Sequence, residues 1–366
     1  MIFIRNTSEV LTITRGIIRR GAVLIEGENI IAVGSERALA KRARRAREMD
    51  ARGCVVLPGF VDSHTHPVFA ASRVEEFEKR IRGVRYDGSG IQDSARKVRA
   101  ATEAELLVGL KERIAQFHRH GTTTIEAKSG YGLTRESELK MLRVIRRAGL
   151  IPTFLVHAKD GCELVTEIAE FCDVFCDRIA FSVPESRRIL VAAKRAGMKL
   201  KIHAEQTSHT GGARLAAELG AVSADHLECA TEADAMALKK AGVVATLLPG
   251  VAFHLGGKYA PARMLMDAGV TVALATDFNP GTCPCPNMQL VIAIACSQMR
   301  MTPVEAIRAA TINGARALCR EGRIGSLEAG KQADVIVLDV ADYRELPYYF
   351  GVNHCRTVIR RGKVVA

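Results

Sequence analysis

Short apolar runs alternate with longer amphipathic stretches from about residue 55 onward. The apolar runs have the length and composition of buried strands. We expect eight strands, at residues 55–64, 122–128, 152–158, 173–177, 199–205, 223–228, 243–250 and 271–277. The stretches between them repeat apolar residues at helical spacing and often close with glycine, as at Gly121 and Gly149. This order predicts an α/β fold, a (β/α)8 TIM barrel, in which functional side chains gather at the C-terminal ends of the strands.

The two ends of the chain follow a different pattern from the middle. Residues 1–54 and 325–366 contain short strand-like segments separated by glycine turns, which is typical of β-hairpins. Two such half-modules would most simply pair with each other. We therefore predict a composite β-sandwich formed by the N- and C-terminal segments, with the barrel at residues 55–324.

Composition places the chain among globular proteins. Of its 366 residues, 48% are hydrophobic and 25% are charged, which excludes a disordered chain. No apolar stretch approaches the length of a membrane span, and the N-terminus lacks the basic leader and apolar core of a secretory signal. We expect a cytoplasmic protein with no membrane partner.

The cysteines favour buried thiols over a disulfide framework. All ten are scattered, and no C-x-x-C pair suggests structural zinc. Cys283 and Cys285 follow the last predicted strand directly. They either compete for a bound ion or are loop residues without a role in the chemistry, and the second reading is the simpler.

The net charge of +12 has two interpretations. Its densest basic run, at residues 41–48, is either a nucleic-acid contact or a solvated helix face. No nucleic-acid recognition motif accompanies it, so we expect no nucleic-acid partner. A positive balance would also attract a small anionic substrate.

Three histidines and one aspartate come at the ends of separate apolar runs. His64 and His66 share one face of a strand because alternate side chains point the same way. Such a pair also occurs as ordinary surface or core histidines. However, His203 ends another run and Asp277 ends a later one. Three imidazoles and a carboxylate at one rim suit a metal ion with an open water position, so we predict a metal-dependent hydrolase.

These motifs resemble those of the amidohydrolase superfamily. The segments PGFVDSHTHPVF, SRVEEFEKR, IEAKSGYGL, TFLVHA, KIHAEQ, SADHLE, LLPG and ATDFNPG are similar, in this order, to those of its histidine-degrading branch, over most of residues 50–355. The resemblance implies ring-opening hydrolysis of the cyclic amide of 4-imidazolone-5-propanoate to N-formimidoyl-L-glutamate.

The resemblance also implies functional residues. The metal ligands fall on His64, His66, His203 and Asp277, which would hold one zinc or iron ion per chain. The substrate contacts fall on Arg73, Tyr131, His157, Gln206, Asn279, Gly281 and Thr282. Ser72 stands where an acidic residue is expected, and the loops after Arg85 and His157 are short.

Three residues are candidates for catalysis. Asp277 can bind the metal and also carry the water proton to the leaving ring nitrogen. His226 either hydrogen-bonds the reacting carbonyl oxygen or is a satisfied core histidine. Glu205 shares the face of His203 if the strand continues, and either acts in catalysis or orients that histidine, whereas Gln206 points elsewhere unless the backbone turns.

The substrate propionate requires a carboxylate clamp. Arg73 is suited to it, with Tyr131 supplying a hydroxyl, although Arg73 could instead pair with Glu75 or Glu76. In the loop after the last strand, backbone N–H groups and the Thr282 hydroxyl could bind the other end of the substrate, or the loop residues could only shape a turn. We interpret Lys128 as structural or as a neighbour of the pocket.

Two other functions compete with this interpretation. One is a related mononuclear amidohydrolase, such as a guanine or aminoimidazole deaminase, which would not need the carboxylate clamp of Arg73. The other is a basic nucleic-acid-binding protein with a vestigial barrel, which the complete set of metal-type residues disfavours. We expect a homodimer acting on a small anionic substrate.

Overall fold

The computed structural model describes residues 1–84, 90–157 and 168–366. The short loops noted after Arg85 and His157 lie outside the described residues. The strands of the described part are β1 (Ile2–Arg5), β2 (Glu9–Leu11), β3 (Ile17–Arg19), β4 (Gly21–Glu26), β5 (Asn29–Ser35), β6 (Arg47–Asp50), β7 (Val55–Pro58), β8 (Phe60–Asp62), β9 (Thr122–Lys128), β10 (Ile151–Val156), β11 (Phe171–Cys176), β12 (Lys199–Ala204), β13 (Ser223–His226), β14 (Val244–Leu247), β15 (Val272–Leu274), β16 (Val335–Leu338), β17 (Cys355–Arg360) and β18 (Lys363–Val364).

Helices connect many of the strands in the described part of the chain. They are α1 (Glu36–Leu39), α2 (Val74–Ile81), α3 (Gly90–Ala100), α4 (Glu103–Arg119), α5 (Arg135–Arg147), α6 (Val183–Arg195), α7 (Gly212–Leu219), α8 (Glu232–Ala241), α9 (Pro249–Leu255), α10 (Ala262–Asp267), α11 (Met288–Met299), α12 (Pro303–Arg308), α13 (Gly314–Arg316) and α14 (Glu345–Tyr348), with a π-helical turn at Ala309–Asn313. Among the described helices, none combines the length and the apolar character needed to cross a membrane.

One compact unit comprises residues 1–62, 115–124 and 287–366. It contains a four-stranded sheet of order β5-β4-β1-β6 and a six-stranded sheet of order β18-β17-β16-β7-β2-β3. Strand β7, from the N-terminal part of the chain, pairs antiparallel with β16, with Val56 opposite Val337. The two ends of the chain thus build one sheet, which confirms the predicted composite β module.

A shared apolar core joins the two sheets of this unit. Ile4 and Val23 of the four-stranded sheet are fully buried in one cluster with Val56 and Val335 of the six-stranded sheet. Two sheets that bury facing apolar side chains in this way form a sandwich. The unit also includes residues 55–62, 115–124 and 287–324, which the sequence analysis assigned to the barrel segment.

The second compact unit comprises residues 63–114 and 125–286. It contains most of an eight-stranded sheet that runs in sequence order from β8 to β15, with parallel pairing between the neighbours. A parallel bridge between Thr65 and Phe278 links the segments that follow its first and last strands. This order and near closure confirm the predicted (β/α)8 barrel.

Several predicted strands differ from the observed ones at their ends, and the eighth, predicted at 271–277, is observed at Val272–Leu274. The first and seventh have an identifiable local cause. The run 55–64 divides at Gly59 into β7 of the sandwich and β8 of the barrel. A Cβ on Gly59 would overlap the Thr123 side chain, so the backbone can approach Thr123 this closely only if the residue is glycine. In the seventh run the strand ends at Leu247, because Pro249 begins α9 where its missing N–H costs nothing.

Candidate metal centre and substrate pocket

Backbone hydrogen bonds bring the first histidine pair next to Asp277. The Asp277 N–H donates to the His64 carbonyl at 3.0 Å, and the His66 N–H donates to the Phe278 carbonyl at 2.8 Å. These bonds alternate across the segments that follow β8 and β15, so the side chains of His64, His66 and Asp277 emerge on the same side. All three residues are at most 5% exposed.

Their donor atoms have the spacing of metal ligands. His64 Nε2 lies 3.3 Å from His66 Nε2 and 3.4 Å from Asp277 Oδ1, and His66 Nε2 lies 3.0 Å from that oxygen. Ligands at about 2.0–2.2 Å from a tetrahedral ion are separated by about 3.3–3.6 Å. The three atoms therefore nearly match one face of a tetrahedral site.

Two further histidines complete the cluster. His203 lies on β12 and His226 ends β13, and the ring nitrogens of His64, His203 and His226 lie within 4.8 Å of one another. The rings of His64 and His203 are 4.5 Å apart between centroids. The structure thus brings together all four predicted ligands, with His226 beside them.

Several buried polar atoms in this cluster lack a hydrogen bond to the described residues, as expected of atoms placed to bind a cation. Asp277 Oδ1, His66 Nδ1 and His226 Nδ1 form no hydrogen bond of ordinary geometry with the described residues, although all three are inaccessible to solvent. Burial alone would raise the pKa of Asp277, but contacts with His64 and His66 hold it well below its usual value. Burial lowers the pKa of His66 and favours the neutral imidazole that a metal requires.

Two aspartates behind the cluster orient the histidines. Asp225 Oδ2 lies 2.6 Å from His64 Nδ1, and Asp173 Oδ1 lies 3.1 Å from His203 Nδ1. A carboxylate at Nδ1 fixes the proton there and leaves Nε2 for a metal. The sequence analysis missed both aspartates, although an isolated carboxylate within an apolar strand such as FCDVFC signals a buried partner.

Lys128 is buried beneath these aspartates as an ammonium group. Its Nζ lies 2.8 Å from both Glu126 Oε1 and Asp173 Oδ2. Burial would lower the pKa of Lys128, but Asp173, Glu126 and Asp225 together raise it above its usual value. A carboxylated lysine would add a negative charge among three carboxylates, so the surroundings favour the protonated amine.

One cavity joins the metal centre to most of the predicted substrate contacts. Its lining includes six of the seven: Arg73, Tyr131, His157, Gln206, Asn279 and Thr282. His66, His203, His226 and Asp277 line the same cavity, together with the apolar side chains of Ile91 and Phe175. The pocket therefore has metal-type donors and a guanidinium within one enclosure.

The loop after β15 uses its N–H groups for hydrogen bonds within the loop. The N–H groups of Gly281 and Thr282 donate to Asn279 Oδ1 at 2.8 and 2.7 Å, and Asn279 Nδ2 donates to the Asp277 carbonyl and the Thr282 hydroxyl. This geometry favours the alternative in which these residues shape the turn, since their N–H groups already have an acceptor. The Thr282 hydroxyl accepts from Asn279, which leaves its proton for donation.

Arg73 combines both roles considered for it. Its Nε donates to Glu76 Oε2 at 2.8 Å, so the ion pair with Glu76 forms, yet the side chain also lines the pocket. Glu76 in turn lies 3.3 Å from Arg80, whose Nη1 donates to the Gly281 carbonyl at 2.8 Å. A Cβ on Gly281 would lie 2.5 Å from Arg73 Nη1, so Gly281 provides room for the guanidinium.

A buried glutamate shapes the KSGYGL loop. The Glu138 carboxylate accepts from the N–H groups of Gly130, Gly132 and Leu133 at 2.6–2.9 Å. This fixes the loop that carries Tyr131, whose ring lies 6.2 Å from His66 and 6.3 Å from His157 between centroids. Sequence reasoning did not single out Glu138, because its partners are backbone groups.

His157 contacts the same loop. Its Nδ1 lies 2.9 Å from the Gly130 carbonyl, which can only accept, so Nδ1 carries the proton. Burial lowers the pKa of His157 to about 4. The neutral ring therefore presents a lone pair at Nε2.

Glu205 and Gln206 separate at a backbone turn. Glu205 has a φ of +54°, and its carboxylate accepts from the N–H groups of Thr210, Gly211 and Ala213 at 2.6–3.0 Å. It thus anchors the loop before α7 instead of contacting His203, so this geometry supports neither of the roles expected for it. The turn redirects the chain, and Gln206 lines the pocket.

Left-handed backbone concentrates at this rim. Glu205, His226, Leu227 and Asp277 have φ values between +50° and +83°. Such conformations cost about 1–3 kcal/mol each in residues other than glycine and cluster at functional sites.

None of the described cysteines forms a disulfide, and Cys283 packs with Leu248 in an apolar cluster.

Known proteins have similar sequences and a similar fold. The amidohydrolase family matches residues 55–365. An imidazolonepropionase of Alkaliphilus metalliredigens is 43% identical over 95% of this chain and 91% of its own length. That of Geobacillus thermodenitrificans is 46% identical over 95% of this chain and 91% of its own length.

Solved structures agree on the architecture. An adenosine deaminase from Xanthomonas campestris with bound zinc superposes with a TM-score of 0.76 at 20% identity, over 99% of this chain and 92% of that one. A 5-methylcytosine deaminase from Klebsiella pneumoniae gives 0.76 at 18% identity, over 100% and 97%. At this identity the likeness shows the fold alone. By its sequence relatives, the chain belongs to the amidohydrolase family and, within it, to the imidazolonepropionases.

Proposed function

We propose that this chain hydrolyses 4-imidazolone-5-propanoate to N-formimidoyl-L-glutamate, the ring-opening step of histidine degradation. Membership of the imidazolonepropionases supports the reaction. The observation that carries the proposal is the single cavity that holds both metal-type donors and Arg73. The substrate has a reacting ring and a carboxylate, and these two features require such a pair of subsites.

We propose that His64, His66, His203 and Asp277 hold one zinc or iron ion per chain. The spacing of three donor atoms and the carboxylates behind two of the histidines support this donor set. When bound, such an ion lowers the pKa of water to about 7 and polarises the ring carbonyl.

Asp277 is suited to move the proton. Its Oδ1 faces the histidine nitrogens, and its other oxygen remains to accept a proton as water adds to the ring carbonyl carbon. When the C–N bond breaks, this proton passes to the leaving ring nitrogen. Such general acid–base catalysis contributes about 10²–10⁴-fold.

His226 is placed to stabilise charge on the carbonyl oxygen. It is 1% exposed, lines the cavity, and its ring centroid lies 5.2 Å from that of His203. Its Nδ1 lies 3.5 Å from Glu228 Oε1. A donor at this position strengthens its contact as negative charge develops.

Arg73 would bind the propionate through its guanidinium, which lines the cavity. Glu76 accepts from Nε and Nη2, and the missing side chain of Gly281 lets the guanidinium pack against the loop backbone. The pair with Glu76 fixes the plane of the guanidinium before substrate arrives, which reduces the entropy lost on binding.

The remaining lining residues can contact the ring of the substrate and its substituents. His157 Nε2 can accept from a ring N–H, and the Thr282 hydroxyl can donate to an oxygen. Tyr131, Gln206 and Asn279 complete the lining on these sides, with Asn279 acting through the shape of its loop. Assembly as a homodimer and a cytoplasmic location stay predictions.

The test is turnover of freshly generated imidazolone propionate, with the product identified by mass spectrometry. We expect N-formimidoyl-L-glutamate containing one solvent oxygen when the reaction is run in ¹⁸O-labelled water, without release of ammonia. Release of ammonia from guanine or an aminoimidazole, together with an inert imidazolone, would instead establish a deaminase.

A further inference from the structure

A buried layer of charge lies directly beneath the metal centre. It consists of five side chains that are 0% exposed: Glu126, Lys128, Asp173, Lys201 and Asp225. Burying this many charges is costly unless each is paired. The layer therefore requires an explanation beyond the packing of the barrel.

Within this layer, Lys128 is shared by the two aspartates that orient histidines. Its Nζ lies 2.8 Å from Asp173 Oδ2 and 4.0 Å from Asp225 Oδ2. The other oxygen of Asp173 contacts His203 Nδ1 at 3.1 Å. Asp173 thus lies between an ammonium group and a ligand histidine, and its ion pair with Lys128, which lacks hydrogen-bond geometry, favours the rotation that turns its other oxygen towards His203.

The position of Lys128 on its strand also brings it close to Glu126. Glu126 and Lys128 are two residues apart on β9 and share a face of the strand. Glu126 Oε1 lies 2.8 Å from Nζ, and its Oε2 accepts from the Thr65 N–H at 3.1 Å. Thr65 lies between His64 and His66, so Glu126 ties the ammonium group to the backbone of the histidine pair.

Lys201 has a different environment. Its Nζ donates to the Ser63 carbonyl at 3.0 Å and lies 3.9 Å from Asp225 Oδ2. Lys128, by comparison, lies 2.8 Å from the Asp173 oxygen that faces away from His203.

We propose that Lys128 is a positioning residue for the metal centre, which strengthens metal binding by holding Asp173 against His203. This inference rests on the metal site of the proposed function. It assigns Lys128 no contact with metal or substrate, and its effect reaches the ion through Asp173 and His203.

The experiment measures zinc affinity of the full-length protein by competition with a chelator, at one pH and on protein shown to be folded by circular dichroism. Lys128→Met should weaken zinc binding about 10- to 100-fold, the usual effect of losing a group that supports a ligand. Lys111→Met is the matched control, because Lys111 is exposed on α4, and its affinity should stay within about twofold of the unchanged protein. Unchanged or tighter binding by folded Lys128→Met would overturn the proposal.

A double-mutant cycle separates positioning from a merely structural role. If Lys128 acts through Asp173, then Lys128→Met/Asp173→Asn should bind zinc within about threefold of Asp173→Asn alone. An additional tenfold loss in the double variant would contradict that route. The double variant also removes one charge of each sign. Its comparison with Asp173→Asn therefore tests whether Lys128 acts through Asp173 even if Lys128→Met alone does not fold.

An error in the proposed metal site can be distinguished from an error in the role of Lys128. In that case His64→Ala would bind zinc as tightly as the unchanged protein. The proposal about Lys128 requires His64→Ala to lose the tight site and Lys128→Met to weaken it.

Discussion

The N–H of Asp277 donates a hydrogen bond of 3.0 Å to the carbonyl oxygen of His64. These two residues are 213 positions apart in the sequence, 277 minus 64, yet the near closure of the barrel makes them neighbours. The backbone thereby sets the distance between an imidazole and a carboxylate before any ion binds. A preorganised donor set of this kind reduces the cost of ordering ligands on metal binding.

Asp277→Asn should abolish most of the activity and weaken metal binding. The amide keeps the size of the side chain but cannot take a proton, so kcat should fall by about 10²–10⁴-fold even with excess zinc. Steady-state rates and metal content would be measured together. Asp267→Asn, at an exposed carboxylate, is the control, and near-normal turnover by Asp277→Asn would exclude its proposed role.

Arg73→Ala should impair recognition of the propionate without loss of the metal. Losing a charge-assisted hydrogen bond costs about 1.5–3 kcal/mol, so kcat/KM should fall about 10- to 100-fold or more. A ring analogue without the carboxylate should be a poor substrate for the unchanged protein and should respond little to the substitution. Equal losses for both molecules would mean that Arg73 supports the architecture of the pocket instead.

Gly281→Ala should act on the same subsite by displacing the guanidinium. The added Cβ would lie 2.5 Å from Arg73 Nη1, so KM should rise while zinc affinity stays unchanged. Gly34→Ala offers a control, because no atom lies within 4 Å of its added Cβ and its φ is not in the left-handed region. A KM for Gly281→Ala equal to that of the unchanged protein would show that Arg73 can shift without loss of binding.

Glu138→Gln should loosen the loop that carries Tyr131. The amide group cannot accept the loop N–H groups that one carboxylate oxygen now binds, so at least one buried donor loses its partner, at a cost of about 1–3 kcal/mol. We expect a lower melting temperature and a raised KM. Glu136→Gln, on the exposed side of the same helix, should change neither.

Lowering the pH should destabilise the fold partly through His157. Its pKa is about 4 in the folded protein and about 6.5 when unfolded, so the unfolded state binds the proton first as pH falls. The neutral ring therefore contributes stability that is complete above pH 6.5 and is lost progressively towards pH 4, at a rate below about 1.4 kcal/mol per pH unit because the side chain is only partly buried. Denaturant unfolding of the unchanged protein and His157→Asn at pH 7 and pH 5 measures this, and identical pH dependence would contradict it.

Several parts of the site could be predicted because they depend on local pattern. Alternation along strands placed His64 with His66, and the rim of a barrel gathered them with His203 and Asp277. Other parts depend on contacts that no local pattern reveals. The use of Asn279 to close its own loop and the pairing of Asp225 with His64 arise only when distant segments meet.

The role of Glu205 shows the same limit. Alternation predicted that it shares a face with His203, but a left-handed residue at the end of β12 turns its carboxylate to the loop before α7. Similarly, the need for glycine at position 59, where the first predicted strand divides, comes from the Thr123 side chain, which lies more than sixty positions further along the chain.

Stepwise return of zinc to the metal-stripped protein tests the central claim most directly. Formation of N-formimidoyl-L-glutamate from imidazolone propionate is followed after each addition. The four-ligand site predicts no turnover without metal, a linear rise, and a plateau at one equivalent per chain. Turnover that is independent of metal, or that reaches its plateau only at two equivalents, would contradict the assignment of a single catalytic ion at His64, His66, His203 and Asp277.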